Sequence, residues 1–191
     1  MYKEMEDKQD LLLSSLKKFY SDSDNLNILT SIIHQRTTVS LRILDWFVTN
    51  YAKKYNLIYN NCNIYLSYKN QLKAYSKKQF DPFCRRTRIF YNTQTGEGVS
   101  MDAADMETYN IRDDGIVTTV GQLNFFRWAI SNGIIEYAFN NVEHIENDMF
   151  NTVDSRNKSK VSFEPKKRKE LSRSGIKGVS RIPIQVVIKF G

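Results

Sequence analysis

The apolar positions of the first sixty residues recur at helical spacing and predict three consecutive helices. Polar residues 21–24 separate the first helix from the second, and Thr37, Thr38 and Ser40 precede the third and can cap it. The apolar stripes are Leu11, Leu12, Leu13, Leu16 and Tyr20 in the first, Leu26, Leu29, Ile32 and Ile33 in the second, and Leu41, Leu44, Val48, Tyr51 and Tyr55 in the third. The asparagine pair at 60–61 then predicts a turn.

The middle of the chain changes from helical spacing to alternation. Every second residue from Cys62 to Tyr68 is apolar, and this pattern predicts a strand over residues 62–68. Helical spacing returns over residues 69–78, and Pro82 predicts that this helix has ended, because the residue before a proline avoids the α region. Residues 83–91 are then predicted to form a second strand.

The next segment is rich in acids and glycine. Residues 92–115 have little periodicity, and they predict a long, exposed, acidic loop. Thr118 or Thr119 can cap a following helix that ends near Gly133. Further helical pieces are predicted over residues 134–139 and 142–153.

The two predicted helices over residues 119–132 and 142–153 could suggest a helix-turn-helix that reads DNA. The charge argues against that interpretation, because Arg127 is the only basic residue on either helix. The aromatic residues Phe125, Phe126 and Trp128 are therefore expected to anchor a core or a protein interface.

These elements together predict a helix-dominated α+β fold: one globular domain over residues 1–154 with a small sheet. A basic arm over residues 155–181 and a C-terminal strand over residues 182–191 follow. The strand has one apolar face, made by Ile182, Ile184, Val186, Ile188 and Phe190. It is expected either to join a sheet with residues 62–67 and 86–91 or to add to the sheet edge of a partner.

Membrane insertion and secretion are not expected from this sequence. No stretch approaches the 18 consecutive apolar residues of a membrane-spanning helix, and the polar, acidic N-terminus lacks the features of a signal peptide.

Charge along the chain is segregated into blocks. Residues 36–93 and 155–191 each carry a net charge of +9, whereas residues 94–154 carry −9 and residues 1–35 carry −2. The whole chain of 191 residues therefore has a net charge of only +7. Opposite blocks could attract each other within one molecule or between copies in an assembly, so this pattern concerns partners rather than fold.

The first basic block contains a basic and aromatic stretch that is a candidate surface for polyanions or partner proteins. The side chains at 69, 73 and 77 are spaced to share one ridge of the predicted helix. Cations neutralise phosphates and aromatic rings stack on bases, but the same stretch could be a solvated lysine face above core aromatics. The candidate residues are Lys69, Lys73, Lys77, Lys78, Arg85, Arg86 and Arg88, together with Lys166, Lys167, Arg168 and Lys169 in the arm.

Catalytic and metal-binding chemistry is not indicated. The residues Cys62, Cys84, His34 and His144 are scattered without metal-ligand spacing, so we expect no metal and no cofactor. Cys84 precedes two arginines, which could lower the pKa of its thiol. The acids in the loop and on the last helix are expected to form a solvated surface: Asp102, Asp105, Asp113, Asp114, Glu143, Glu146 and Asp148. Nucleotide-binding and hydrolase motifs are absent from the sequence, and we expect no enzyme.

Three runs carry a family resemblance: LDWFVTNYAKK at 44–54, SYKNQLKAYSKKQFDPFCRR at 67–86 and TVGQLNFFRWAISNGII at 119–135. Together they resemble a family of short proteins of the nucleocytoplasmic large DNA viruses, including giant algal and amoebal viruses and iridoviruses. The resemblance implies a non-enzymatic virion protein, above all a minor capsid protein that contacts other viral structural proteins. The segregated charge blocks and the arm with its apolar strand favour an oligomeric or assembly-bound state. The resemblance implies a location in the virion and, during infection, in the host cytoplasm or viral factory. The alternative is a nucleic-acid-associated protein of genome packaging or late transcription.

Overall fold

The fold was obtained as a computed structural model, which describes residues 2–85, 87–100 and 115–161. The helices are α1 (Tyr2–Tyr20), α2 (Ser23–Ile33), α3 (Leu41–Trp46), α4 (Ala52–Lys54), α5 (Ile64–Ala74), α6 (Val120–Ser131), α7 (Ile134–Asn140) and α8 (Val142–Val161). The strands are β1 (Ile58–Tyr59), β2 (Cys62–Asn63), β3 (Ile89–Asn92), β4 (Gly98–Ser100) and β5 (Gly115–Thr118). This arrangement confirms the prediction of a helix-dominated α+β fold.

The chain divides into a unit Met1–Asn151 and a second unit Thr152–Gly191. Of the second unit, the described part is the end of α8, which runs to Val161 and so enters the segment predicted as the basic arm. The predicted C-terminal strand, residues 182–191, lies outside the described residues, and so does the segment with Lys166, Lys167, Arg168 and Lys169.

Helix starts follow the predicted capping chemistry. Asp22 caps α2 by accepting the backbone N–H groups of Asp24 and Asn25, and Ser40 caps α3 by accepting the N–H of Ile43. Each cap satisfies a backbone donor that has no partner inside the helix. The three predicted N-terminal helices are thereby confirmed.

The third helix is not uniform. Its α-helical turns at either end flank a π-helical segment, Phe47–Tyr51, in which Phe47 and Val48 are both fully buried. The hydroxyl of Thr49 in this segment donates to the carbonyl oxygen of Asp45 at 2.6 Å. A π segment adds one residue to a helical turn and is often found beside functional sites.

The predicted strand over residues 62–68 is wrong beyond Asn63. The side chain of Asn63 accepts the N–H of Leu66 at 3.0 Å and starts α5 at Ile64. Ile64 and Tyr68 are buried one helical turn apart, whereas Leu66 is 58% exposed, so the alternation does not correspond to burial. Because α5 ends at Ala74, the ridge predicted for residues 69, 73 and 77 is also wrong at its last member.

Strands β1 and β2 form a hairpin around the predicted turn. Tyr59 pairs with Cys62, and both Asn60 and Asn61 have positive φ angles, 47° and 58°. Two consecutive positive φ angles define a type I′ turn, whose twist suits a two-residue hairpin.

The larger sheet has the order β4-β3-β5, and both pairings are antiparallel. It does not contain residues 64–67, which are helical, so the expected sheet of residues 62–67 with 86–91 is not formed. Residues 98–100 and 115–118 were predicted as loop or cap, and they are strands instead. Residues 101–114 of the predicted acidic loop lie outside the described residues.

Helix α6 is the centre of the core. Thr119 caps it as predicted, and Gly133 follows it with a φ of 68°, the left-handed conformation that a glycine adopts freely at a helix end. Its aromatic residues Phe125, Phe126 and Trp128 are buried, which confirms their predicted role in the core. Helix α1 packs beside it, and the Tyr20 hydroxyl donates to the carbonyl of Leu123 at 2.7 Å.

Candidate functional site

A cleft of about 690 Å³ opens on the surface of the first unit. Its walls come from the end of α3 and the π segment, from α5, and from the loop over residues 77–85. The volume lies within the range of small-molecule sites, about 300–1,000 Å³. The cleft is therefore large enough to hold a ligand of the size of a nucleotide.

The loop that forms one wall is fixed by polar side chains of α6. Asn124 donates from Nδ2 to the carbonyl of Gln79 at 2.9 Å, and Gln122 donates from Nε2 to the carbonyl of Pro82 at 2.8 Å. Asp81 donates its backbone N–H to the carbonyl of Gly121 at 3.2 Å. Three hydrogen bonds to one rigid helix hold the loop in a single position, as a preformed binding site requires.

Close packing between the loop and α6 depends on Gly121. A Cβ atom at this position would lie 2.8 Å from the carbonyl oxygen of Lys78. Only a glycine therefore lets the loop backbone approach the helix this closely.

The floor of the cleft is aromatic and apolar. Tyr68 and Phe80 are buried with their ring centroids 5.9 Å apart, and Phe80 packs against Trp128 at 5.6 Å. The Trp128 indole N–H donates to the hydroxyl of Ser67 at 3.0 Å, which joins α6 to α5. Tyr65 stands half-buried at the edge.

Two carboxylates lie in the cleft. Asp81 accepts the guanidinium of Arg85 at 3.1 Å and the N–H of Phe83 at 3.0 Å. Asp45 is half-buried and accepts no side-chain hydrogen bond within the described part of the chain. Its burial raises the pKa of the Asp45 carboxyl, and the nearby Arg85 opposes that rise.

The pKa of the Tyr68 phenol is also shifted in this environment. Burial, with the nearby charges of Asp45 and Asp81, raises the pKa of Tyr68 to about 12. The hydroxyl is therefore neutral at physiological pH and is available as a donor.

Three of the predicted basic residues meet at this cleft: Lys69, Lys77 and Arg85. Lys73 and Lys78 are exposed but do not line it, and Arg88 is exposed beside Cys84. Arg86 lies outside the described residues. The lysines are exposed and the core aromatics are buried, as helical spacing predicts. Lys77 nevertheless lines the same cleft as Lys69 through the loop after α5, which helical spacing alone does not predict.

The cysteines and histidines are not brought together. Cys62 and Cys84 are free thiols, His34 ends α2, and His144 is exposed on α8. Among the described residues, no group of three or more Asp, Glu, His or Cys side chains is placed to hold a metal ion. The expectation of a lowered pKa for Cys84 is wrong, because burial raises its pKa more than Arg88 lowers it.

Asp148 is not part of a solvated acidic surface, contrary to the prediction. It is buried and accepts hydrogen bonds from the Trp46 indole at 3.1 Å, from the Tyr55 hydroxyl at 3.2 Å and from the Lys54 ammonium. Burial alone would raise the pKa of Asp148, but the bonds from Lys54, Trp46 and Tyr55 outweigh burial and hold the pKa below its ordinary value. Asp148 therefore ties α8 to the third helix. The loop acids Asp102, Asp105, Asp113 and Asp114 lie outside the described residues.

Several residues of the cleft were not singled out from the sequence: Asp45, Asp81, Gln122 and Asn124. The signal for the last two was present, because Gln122 and Asn124 stand among the apolar residues of the first half of α6, and both are 1% exposed. Buried amides nearly always bind a specific partner, so such residues point to a fixed loop.

In the described ranges, no helix is both long and apolar enough to cross a membrane.

The fold and the cleft define a helix-dominated α+β protein with a ligand-sized polar cleft. The chain belongs to the family of unknown function DUF7197, whose model matches residues 2–182. It is similar to the uncharacterized protein L507 of Acanthamoeba polyphaga mimivirus, with 37% identity over 177 residues. This match covers 87% of the chain and 62% of the mimivirus protein, so the chain spans less than two thirds of that relative's length.

No solved structure matches the chain. The expected resemblance to proteins of large DNA viruses is confirmed at the level of a viral family of unknown function.

Proposed function

We propose that this protein is a non-enzymatic structural component of the virion of a large DNA virus, with the role of a minor capsid protein. It contacts other capsid components and works in an oligomeric or assembly-bound state. Its place is the virion and, during infection, the host cytoplasm or viral factory. The similarity to a mimivirus protein supports the viral setting.

One observation carries the protein-binding part of this proposal. Ile58 and Leu66 are 63% and 58% exposed, and both adjoin Asn63. Ile58 is the pairing partner of Asn63 across the hairpin, and the N–H of Leu66 donates to the Asn63 side chain. Exposed apolar side chains that lie close together mark protein contacts, and these two are the candidate contact of this proposal.

The proposal is tested by fractionating purified virions and probing for the protein. It should co-purify with particles, and its absence from particles but presence in infected cells would contradict the proposal. A virus carrying Ile58→Asp with Leu66→Asp should lose incorporation, because charged side chains cannot be buried in an apolar contact. Leu11→Asp is the matched control, since Leu11 is 71% exposed and lies on another element.

A second candidate function is association with nucleic acid in genome packaging or late transcription. It is supported by the exposed Lys69, Lys73, Lys77 and Lys78, which form no ion pair with any described residue. Duplex and single-stranded DNA titrations across a salt series test it, because phosphate contacts require a log-linear loss of affinity with salt. Absence of binding at low salt would remove this candidate.

A further inference from the structure

The three cations at the cleft differ in whether they have a carboxylate partner. Arg85 is neutralised by Asp81 at 3.1 Å and stacks over the ring of Phe83, with 4.5 Å between guanidinium carbon and ring centroid. Lys69 and Lys77 have no carboxylate partner within the described residues. Two lysines without a carboxylate partner that line the same cleft provide a place for a phosphate, an anion that lysines bind as point charges.

A second polar group lines the cleft from α3. The Asp45 carboxylate is half-buried there and receives no hydrogen bond from a described side chain or backbone. A partly desolvated carboxylate without donors is unfavourable, so a ligand that supplies an N–H group would be stabilised at this point.

The cleft also has an apolar lining. Tyr65 and Leu72 are half-buried in it, and Tyr68, Phe80 and Pro82 are buried beneath. Planar rings pack well on such surfaces, and aromatic side chains stack on nucleobases without regard to sequence.

We propose that this cleft is a nucleotide site, in which Lys69 and Lys77 bind the phosphate and Asp45 accepts the exocyclic amino group of the base. The ring lies over the apolar floor. An inorganic anion would leave Asp45 without a donor, and an apolar ligand would leave the two lysines unused. The nucleotide is either free or one unit of a single strand.

The base preference is tested on the full chain by isothermal titration with dCMP and dUMP, which differ in the amino or oxo group at the 4-position and in the proton that only uracil carries at N3. Cytosine should bind about tenfold more tightly, because the uracil oxygen would face a carboxylate. Asp45→Asn should abolish the preference, since a carboxamide both donates and accepts. Equal affinity of the wild type for the two ligands, or an unchanged preference in the variant, would overturn the proposal.

The phosphate contact is tested with two charge-matched double variants. Lys69→Glu with Lys77→Glu should weaken dCMP binding by about a hundredfold, whereas Lys73→Glu with Lys78→Glu should change it by less than about threefold. Both pairs alter the net charge equally, and only the first pair lines the cleft. An equal loss of dCMP affinity in both double variants would mean that the overall charge of the protein attracts the ligand, and this result would overturn the proposed site.

Two further ligands identify the source of the nucleotide. If the decamer of deoxycytidylate binds far more tightly than dCMP, and both depend on Lys69 and Lys77, the nucleotide belongs to a strand. If dCMP binds as tightly as the decamer, a free nucleotide is the ligand. Inorganic phosphate that binds as tightly as dCMP would overturn the assignment of a base.

The site is independent of the virion role, because absence from particles would not change titrations of the purified chain. If the nucleotide belongs to a strand, the proposed site rests on the second candidate function, association with nucleic acid. Titration with dCMP separates a failure of the site from a failure of that function, because it measures the site without a strand.

Discussion

The side-chain amide of Gln122 on α6 donates to the backbone carbonyl of Pro82 at 2.8 Å, across forty residues of sequence. Its oxygen accepts the hydroxyl of Thr118 at 2.8 Å, so both ends of a fully buried amide are used. This single side chain joins the central helix to the loop that carries Asp81 and Arg85. The geometry of the cleft is thereby a consequence of core packing.

Replacing Gln122 with leucine should therefore destabilise the fold and the loop together. Leucine keeps the volume but leaves the Pro82 carbonyl and the Thr118 hydroxyl buried without partners. The free energy of unfolding should fall by about 1–3 kcal/mol, measured by urea denaturation.

Gln94→Leu is the control, because the Gln94 side chain is exposed in the β3-β4 turn and has no described hydrogen bond. It should change the free energy of unfolding by less than about 0.5 kcal/mol. Equal effects of the two substitutions would show that the buried amide contributes nothing specific.

Gly121→Ala tests the close approach of helix and loop. Alanine favours a helix over glycine by about 1 kcal/mol, so the substitution would stabilise an open position. Here the added methyl would meet the carbonyl oxygen of Lys78 at 2.8 Å and the amide nitrogen of Phe80 at 3.3 Å. Because this backbone is held by three hydrogen bonds, we expect a net destabilisation of about 1–3 kcal/mol in thermal or urea unfolding.

Gly98→Ala serves as the comparison, since a Cβ there would meet only the ends of the Ile89 and Leu13 side chains. Those side chains can shift by a few tenths of an ångström. A stabilising effect of Gly121→Ala would contradict the rigid contact described here.

Cys84 offers a test by chemical reactivity. Burial raises the pKa of its thiol above the ordinary value of 9.0, and Arg88 reduces this rise without cancelling it. In a Cys62→Ser background, the native chain should react with a disulfide reagent about tenfold more slowly near neutral pH than the chain unfolded in urea.

The rate should increase with pH and reach half its maximum above pH 9.0. A native rate at neutral pH that matches or exceeds the unfolded rate would instead mean that the arginines stabilise a thiolate, as the sequence had suggested.

The starts of α2, α3 and α6 were predictable because each is encoded locally. Asp22, Ser40 and Thr119 cap helices with their own side chains, and Asn60 and Asn61 adopt the positive φ angles that a tight hairpin needs. Such signals need no tertiary information.

The start of α5 was missed although Asn63 caps it with its own side chain, because the residues after this cap fit two patterns. Ile64 and Tyr68 fit both an alternating strand and successive turns of a helix. Burial against Phe80 and Trp128 decides for the helix, and those contacts come from distant segments. Leu66, which completes the alternation, is left in solvent.

The cleft shows the same limit. Lys69 and Arg85 could be singled out by charge, but Asp45 lies on another helix and Asp81 reads as a helix-ending residue before proline. Hydrogen bonds from α6 fix the loop that carries Asp81 and Arg85, and these tertiary contacts have no local signal in the sequence. The three runs that carried the family resemblance, 44–54, 67–86 and 119–135, meet at this one place.

Asp148 gives a pH-dependent prediction. Its hydrogen bonds hold the pKa below the ordinary value of 3.8, so the folded state favours the ionised form. A depressed carboxyl pKa contributes stability that is present above the unfolded pKa and is lost as the pH falls through the folded pKa. Near neutral pH, Asp148→Asn should lower the free energy of unfolding by about 1.5–3 kcal/mol, because it weakens bonds to Lys54, Trp46 and Tyr55.

As the pH falls below 3.8 and through the lowered pKa of Asp148, the difference between wild type and Asp148→Asn should shrink, because the wild-type carboxyl then becomes protonated as well. Urea unfolding at neutral and at acidic pH measures this difference in the free energy of unfolding. Glu143→Gln is the matched control on the same helix, because Glu143 is exposed and its effect should be small at both. A difference for Asp148→Asn that stays constant with pH would mean that packing, and not the ionised carboxylate, ties α8 to the third helix.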